Sequence, residues 1–201
     1  MTEPMAAWRR LHAGNETSSG APRAEDTSSS GAVTAAIFRC ADSGLASETV
    51  FGCREGLLDV STWGHVIDTG VLATLEYAVQ TLQVPLIVVL GHHDCAAVET
   101  ALRAWERADL PDGAARAAVE HVMWSIVRRH APADSVDAVA AAHAVETGLG
   151  LVQRSPVIAR QVDAQKCGIV CATIDPVTGR LQTHATIGPV GERQENLAEC
   201  V

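Results

Sequence analysis

Two periods of apolar and polar residues alternate along the chain. Val33 to Arg39 (VTAAIFR) reads as a buried strand, and Pro85 to Leu90 (PLIVVL) is a continuous apolar run. A short run of that kind is typical of a parallel strand covered on both faces. Asp68 to Gln83 carries apolar residues at Val71, Leu72, Leu75, Ala78, Val79 and Leu82 instead. That is a helical stripe, and Asp68 stands where an N-cap is wanted. Helical patterns also cover Cys95–Arg107, Asp112–His130 and Asp134–Arg154, the last two separated by Pro132. Cys167–Ile174 is a further strand, and Asp175–Gly179 (DPVTG) is a turn into Arg180–Ile187. Strands alternating with helices predict an α/β fold, a mostly parallel β-sheet flanked by helices.

The N-terminus follows a different pattern. Met5, Trp8 and Leu11 recur at spacing three, so Pro4 to His12 is expected to form a short amphipathic helix. Residues 14–31 (GNETSSGAPRAEDTSSSG) lack the apolar surface to fold and are expected to be a flexible linker. The chain thus divides into a helical arm (1–13), a linker (14–31) and one domain (32–201). A helix that short is not stable alone, so it must pack on the domain or on a second subunit.

Composition narrows the function. A formal charge of −9 argues against a nucleic-acid binder, and Arg9-Arg10 and Arg128-Arg129 read as solvated helix faces. No apolar run approaches the roughly 20 residues that span a bilayer, and residues 1–13 lack a signal-peptide layout. The expected compartment is the cytoplasm. There the six cysteines read as metal ligands and free thiols rather than disulfides.

The chemistry gathers at two strand ends. The first strand runs into Cys40-Ala41-Asp42-Ser43, the second into Gly91-His92-His93-Asp94-Cys95. Ligands of open parallel sheets bind beyond such carboxyl ends. If the strands are neighbours, Cys40, His92 and Cys95 converge. Two thiolates, one imidazole and an oxygen ligand suit tetrahedral Zn²⁺. Spacing alone leaves an alternative: Cys40 and Cys95 as small buried hydrophobes, His92 and His93 as loop residues. Cys167 and Cys171, four apart on a strand, share a face and are expected in the core.

The surrounding residues carry a resemblance. Cys40-Ala-Asp42-Ser43, Leu75-Glu-Tyr-Ala-Val79 and Gly91-His92-His-Asp-Cys95-Ala-Ala together resemble the β-class carbonic anhydrases. Trp63-Gly64-His65 looks like that family's Ala-Gly turn. The likeness implies a Zn²⁺ held by Cys40, His92 and Cys95. Asp42 matches the aspartate that takes the fourth position or swings away. A homodimer with the N-terminal arm across the partner is implied as well.

Departures cluster around the presumed pocket. The family's Cys-x-Asp-Ser-Arg ends here in Gly44, so the arginine that draws the aspartate off the metal is missing. The glutamine segment is replaced by Val50–Gly56, and Ser61 stands near the place of another family arginine. Arg54 is a candidate to supply the missing charge from another direction, and Cys53 a candidate new pocket thiol. His93 and Asp94 are candidates to line the pocket; Ser43, Gly44, Trp63, Gly64 and His65 are the pocket set. Three functions follow from the resemblance: a zinc lyase hydrating CO₂ or a related small carbonyl compound, with Asp42 as its catalytic carboxylate; a diverged enzyme with a larger substrate; or a non-catalytic zinc protein closed by Asp42.

Overall fold

The structure, a computed structural model, describes residues 3–18, 32–52 and 56–191. Strands β1 (Ala35–Cys40), β2 (Leu57–Thr62), β3 (Leu86–His92), β4 (Gly168–Ile174) and β5 (Leu181–Ile187) form one sheet in the order β2-β1-β3-β4-β5. The first four are parallel, and β5 runs antiparallel to β4. The expected mostly parallel sheet flanked by helices is therefore present. Helices α1 (Pro4–Ser18), α2 (Ser47–Phe51), α3 (Thr69–Gln80), α4 (Ala96–Arg107), α5 (Ala115–Arg129), α6 (Val136–Arg154) and α7 (Pro156–Asp163) make up the rest, with a 3-10 turn at Trp63–His65.

The period of two along each strand sorts residues between faces. Ala36, Phe38, Ile87, Val89, Ile169 and Cys171 pack under α3, α6 and α7. Ala35, Ile37, Leu86, Val88, Val170 and Ile174 pack under α1 and α2. Phe38, Ile37, Ile87 and Leu86 are fully buried, each contributing about 2 kcal/mol of transfer free energy. A third cluster joins Cys40 and Cys95 to α4, α5 and the start of α6.

Strand order explains where a site can form. The chain leaves β1 for β2 on one side, then crosses to β3 on the other. The carboxyl ends of β1 and β3 therefore flank a topological switch point, where crevices open in such sheets. Cys40 ends β1 and His92 ends β3.

Several elements differ from the sequence-based expectation. The helix expected to stop at His12 continues to Ser18. Asn15 explains the extension: its side-chain amide donates to the carbonyls of Val50 and Gly179 at 2.8 and 3.0 Å. Residues 14–18 of the expected linker are thus helical, and 19–31 lie outside the described residues. Ala7 and Leu11 of α1 are buried on the chain's own sheet. Arg128 and Arg129 are not simply a solvated face. They pair with the buried Glu146 at 2.9 and 3.1 Å, tying α5 to α6. Cys167 and Cys171 are buried free thiols, as expected, and burial pushes each up to about 12. Cys53, Arg54 and Cys200 lie outside the described residues.

Candidate metal centre

Cys40, Asp42, His92 and Cys95 bring their ligand atoms within 4.8 Å of one another. Each arrives by a different local device. Cys40 is the last residue of β1, and Asp42 follows in the turn. His92 closes β3, and Cys95 is the N-cap residue of α4. Asp94 between them takes a left-handed φ of 52°, which folds the strand end back into the helix.

The donor set passes a geometric test for zinc. The Cys40 and Cys95 sulfurs are 3.8 Å apart. Two thiolates at the usual Zn–S distance of 2.3 Å, at a tetrahedral angle, stand about 3.8 Å apart. The Asp42 Oδ1 to His92 Nε2 distance is 2.9 Å, a hydrogen bond. Tetrahedral zinc ligands of these types stand about 3.3 Å apart, so this pair opens slightly around a metal. The imidazole is already oriented. His92 Nδ1–H donates to the His93 carbonyl at 2.8 Å, leaving Nε2 to face the cluster, the usual support of a metal-binding histidine.

The electrostatics of the cluster are those of one shared charge network. Burial pulls His92 down, but hydrogen bonds to Asp42 and Cys40 outweigh it and carry it up to about 10. Burial raises Asp42, yet its bonds with His92 and Cys40 and the Ala96 N–H hold its carboxyl well below the usual carboxylate range. The Cys40 contact pulls the Cys95 thiol below its ordinary range, helped by the backbone N–H groups of Val98 and Ala97. The same contact and burial push Cys40 up. A bound cation would hold both sulfurs as thiolates.

Two backbone donors complete the centre, and neither was predicted. The Gly64 N–H donates to Cys40 Sγ at 3.2 Å. The Ala96 N–H, in the first turn of α4, donates to Asp42 Oδ2 at 2.9 Å. Asp42 is thereby held at the cluster by both oxygens. Among the described residues its ion-pair partner is His92. Gly44 leaves the space beyond it open: a Cβ there would have nothing within 4 Å, and its φ is +65°.

The other predicted residues fall in two groups. Trp63 and Gly64 stay beside the cluster: Trp63 is half-buried against the group containing Cys40 and Cys95. His65 turns into the core, where its Nε2–H donates to the Leu90 carbonyl at 3.1 Å and its ring meets Phe38 edge-on. Ser43 is occupied with its own turn, 3.4 Å from the Leu45 N–H. His93 and Asp94 face the start of α6. His93 Nδ1 is 3.7 Å from Asp137, whose carboxylate also accepts the Asp94 N–H at 3.3 Å.

Comparison with known proteins bears on all of this. Residues 35–181 match the family model described as carbonic anhydrase. A carbonic anhydrase of Mycolicibacterium smegmatis is 39% identical, aligned over 95% of this chain and 98% of the relative. Carbonic anhydrase 2 of Mycobacterium tuberculosis H37Rv is 40% identical over the same shares. Among solved structures, the Coccomyxa β-carbonic anhydrase in complex with acetazolamide superposes with a TM-score of 0.66 at 20% identity, covering 78% of this chain and 74% of that one. A structure among two tetrameric β-carbonic anhydrases from Sordaria macrospora gives 0.67 at 19% identity, covering 78% and 83%. These two likenesses concern the fold.

Proposed function

The chain belongs to the β-class carbonic anhydrase family, and on that premise we propose that Cys40, Asp42, His92 and Cys95 hold Zn²⁺ for the reversible hydration of CO₂ or a related small carbonyl compound. The observation that carries this is the four-donor cluster at the β1/β3 switch point, with its sulfurs 3.8 Å apart. Bound there, zinc supplies Lewis acidity that makes water acidic near neutral pH.

The chain's own residues set the conditions. His92 keeps Nε2 toward the cluster through its bond to the His93 carbonyl. Asp42, held by the Ala96 N–H, would take the fourth position. Substrate access would then require Asp42 to leave, and its carboxylate would be placed to accept a proton. Gly44 supplies no guanidinium to hold it away, so with zinc bound the centre would rest closed and hydration would be slow. A stopped-flow CO₂ hydration assay on zinc-loaded protein, from about pH 6 to 9, tests this. Turnover at background throughout overturns it.

The double hold on Asp42 favours a second reading, a zinc protein whose fourth position stays closed. A zinc-loaded structure with Asp42 about 2.0 Å from the metal across that pH range, together with background turnover, selects it. Ordered non-water density beside zinc and Trp63 instead selects a larger substrate.

We also propose that the protein works in the cytoplasm as a homodimer. Four described cysteines are free thiols, and no described helix is long and apolar enough to cross a membrane. The net charge of −9 disfavours a nucleic-acid partner. Light scattering of the purified chain reads the dimer directly.

A further inference from the structure

Behind Cys40 lies a polar network that the reaction itself does not use. His143 of α6 is 3% exposed, and Ser125 of α5 is fully buried. His143 Nε2 is 3.0 Å from the Gly64 carbonyl. A carbonyl only accepts, so Nε2 carries a proton. His143 Nδ1 is 2.8 Å from Ser125 Oγ. Burial, with His121 and His65 nearby, holds this imidazole neutral, so Nδ1 is a lone pair and Ser125 donates to it. Ser125 Oγ also lies 3.2 Å from the His121 carbonyl, but its single proton is taken by the closer nitrogen.

Gly64 is therefore pinned from both sides. Its C=O is held by His143 and its N–H points at Cys40 Sγ. The angle between those groups is set by a left-handed backbone at φ +62° and ψ +30°. A Cβ at this position would meet the Ala118 and Ala97 side chains at 3.1 and 3.2 Å. The turn cannot slide without breaking one bond or the other.

We propose that His143, oriented by Ser125, is a positioning residue for the metal centre: it fixes Gly64 so that its N–H donates to the Cys40 sulfur. An N–H on a thiolate disperses its charge and holds it in place, as outer-shell partners do for metal ligands. His143 lies more than a hundred residues from Cys40 in the chain and touches no ligand, so its effect runs through one backbone residue. This rests on the metal reading above.

The test uses the full chain and zinc or Co²⁺ alone. Zinc affinity by chelator competition is expected to weaken about 10–100-fold in His143→Ala, the range for outer-shell losses. His143→Gln, whose amide N–H reaches toward the same carbonyl, recovers most of it. The cobalt–thiolate charge-transfer band shifts in His143→Ala and returns in the glutamine variant. Ser125→Ala, which leaves the ring present but unoriented, gives an intermediate loss; it keeps the test open if His143→Ala fails to fold. A merely structural role leaves the band unmoved in folded variants. Equal zinc affinity and an unchanged band in folded His143→Ala or Ser125→Ala overturn the proposal. Wild-type protein that takes up no zinc overturns the metal reading. Amide exchange of residues 63–65 in metal-free protein then decides the Gly64 clamp: faster exchange in His143→Ala supports it, equal exchange overturns it.

Discussion

Two turns bear on the same four donors, and they are built differently. The 63–65 turn lies behind Cys40, buried at Gly64 and His65, with the Gly64 carbonyl paired to His143 and the His65 Nε2–H to the Leu90 carbonyl. The 42–44 turn lies in front, half-exposed, and ends in a glycine with open space beyond it. The rear turn donates to a sulfur; the front turn presents the carboxylate that the proposed reaction would have to move. Rigidity is thus concentrated behind Cys40, where the proposed metal ligand would have to stay. The front turn offers no side chain at position 44 to govern such a motion.

The histidine of the cluster sets the scale. His92→Ala leaves two thiols and a carboxylate facing a gap, and the protein is expected to fall from roughly one zinc per chain to near none after dialysis, measured by metal analysis. A loss this complete exceeds the 10–100-fold effects expected of outer-shell groups. Retained stoichiometric zinc would break the comparison, because neither turn would then be serving a metal.

The rear turn should show its rigidity in acid. Burial lowers His65 to about 4 and His143 well below its ordinary value. Above pH 6.5 these imidazoles are neutral whether folded or not. Below it the unfolded chain takes up protons that the folded chain refuses, so stability falls as pH drops from about 6.5 toward 4. For His65 the full loss is on the order of 3 kcal/mol. Urea unfolding at several pH values measures it, and His65→Gln should flatten the slope between pH 6.5 and 5. An unchanged slope would mean the rear turn opens to water more readily than its packing implies.

Legibility in the sequence divides along the same line. The four clustered donors were readable because each ends or follows a strongly patterned element: β1 and β3 are apolar runs, and Cys95 caps an amphipathic helix. Asp68 was readable as a cap and accepts the Val71 N–H at 2.8 Å. β2 was missed because it is an edge strand whose residues are half-buried or exposed, with Asp59 and Ser61 interrupting its pattern. α2 is five residues long, too short for a helical period to show. α7 escaped because Pro156 reads as a breaker yet occupies its first turn, behind the Ser155 cap. His143 had one faint signal, a polar residue on the apolar stripe Val139, Ala140, Ala144, Leu151. Its contact with Gly64 spans 79 positions, and no local period encodes that. The backbone donors at Gly64 and Ala96 carry no side-chain signature at all.

Gly44→Arg tests the front turn. The space is open, but φ of +65° is a left-handed conformation, which costs a non-glycine residue about 1–2 kcal/mol. Thermal unfolding should report that loss. If an absent guanidinium keeps the centre closed, the variant should hydrate CO₂ faster than the wild type, since arginine grips a carboxylate in a bidentate fork. Unchanged turnover with the expected stability loss would show that Asp42 is governed by the Ala96 N–H rather than by what is missing at position 44.

Ser43→Ala is the smallest change and separates two meanings of a residue beside the cluster. The serine hydroxyl has contacts at 3.4 and 3.5 Å with the Leu45 backbone, both too long to be strong. Its loss should cost less than about 0.5 kcal/mol, the usual range for surface substitutions. Zinc affinity should not change, because no ligand leans on it. A turn whose serine is dispensable while the histidine behind Cys40 is not would confirm that the centre is held from the rear. If Ser43→Ala instead raises the Michaelis constant for CO₂ with folding and zinc intact, the hydroxyl meets substrate. The front turn then still carries recognition chemistry despite its lost arginine.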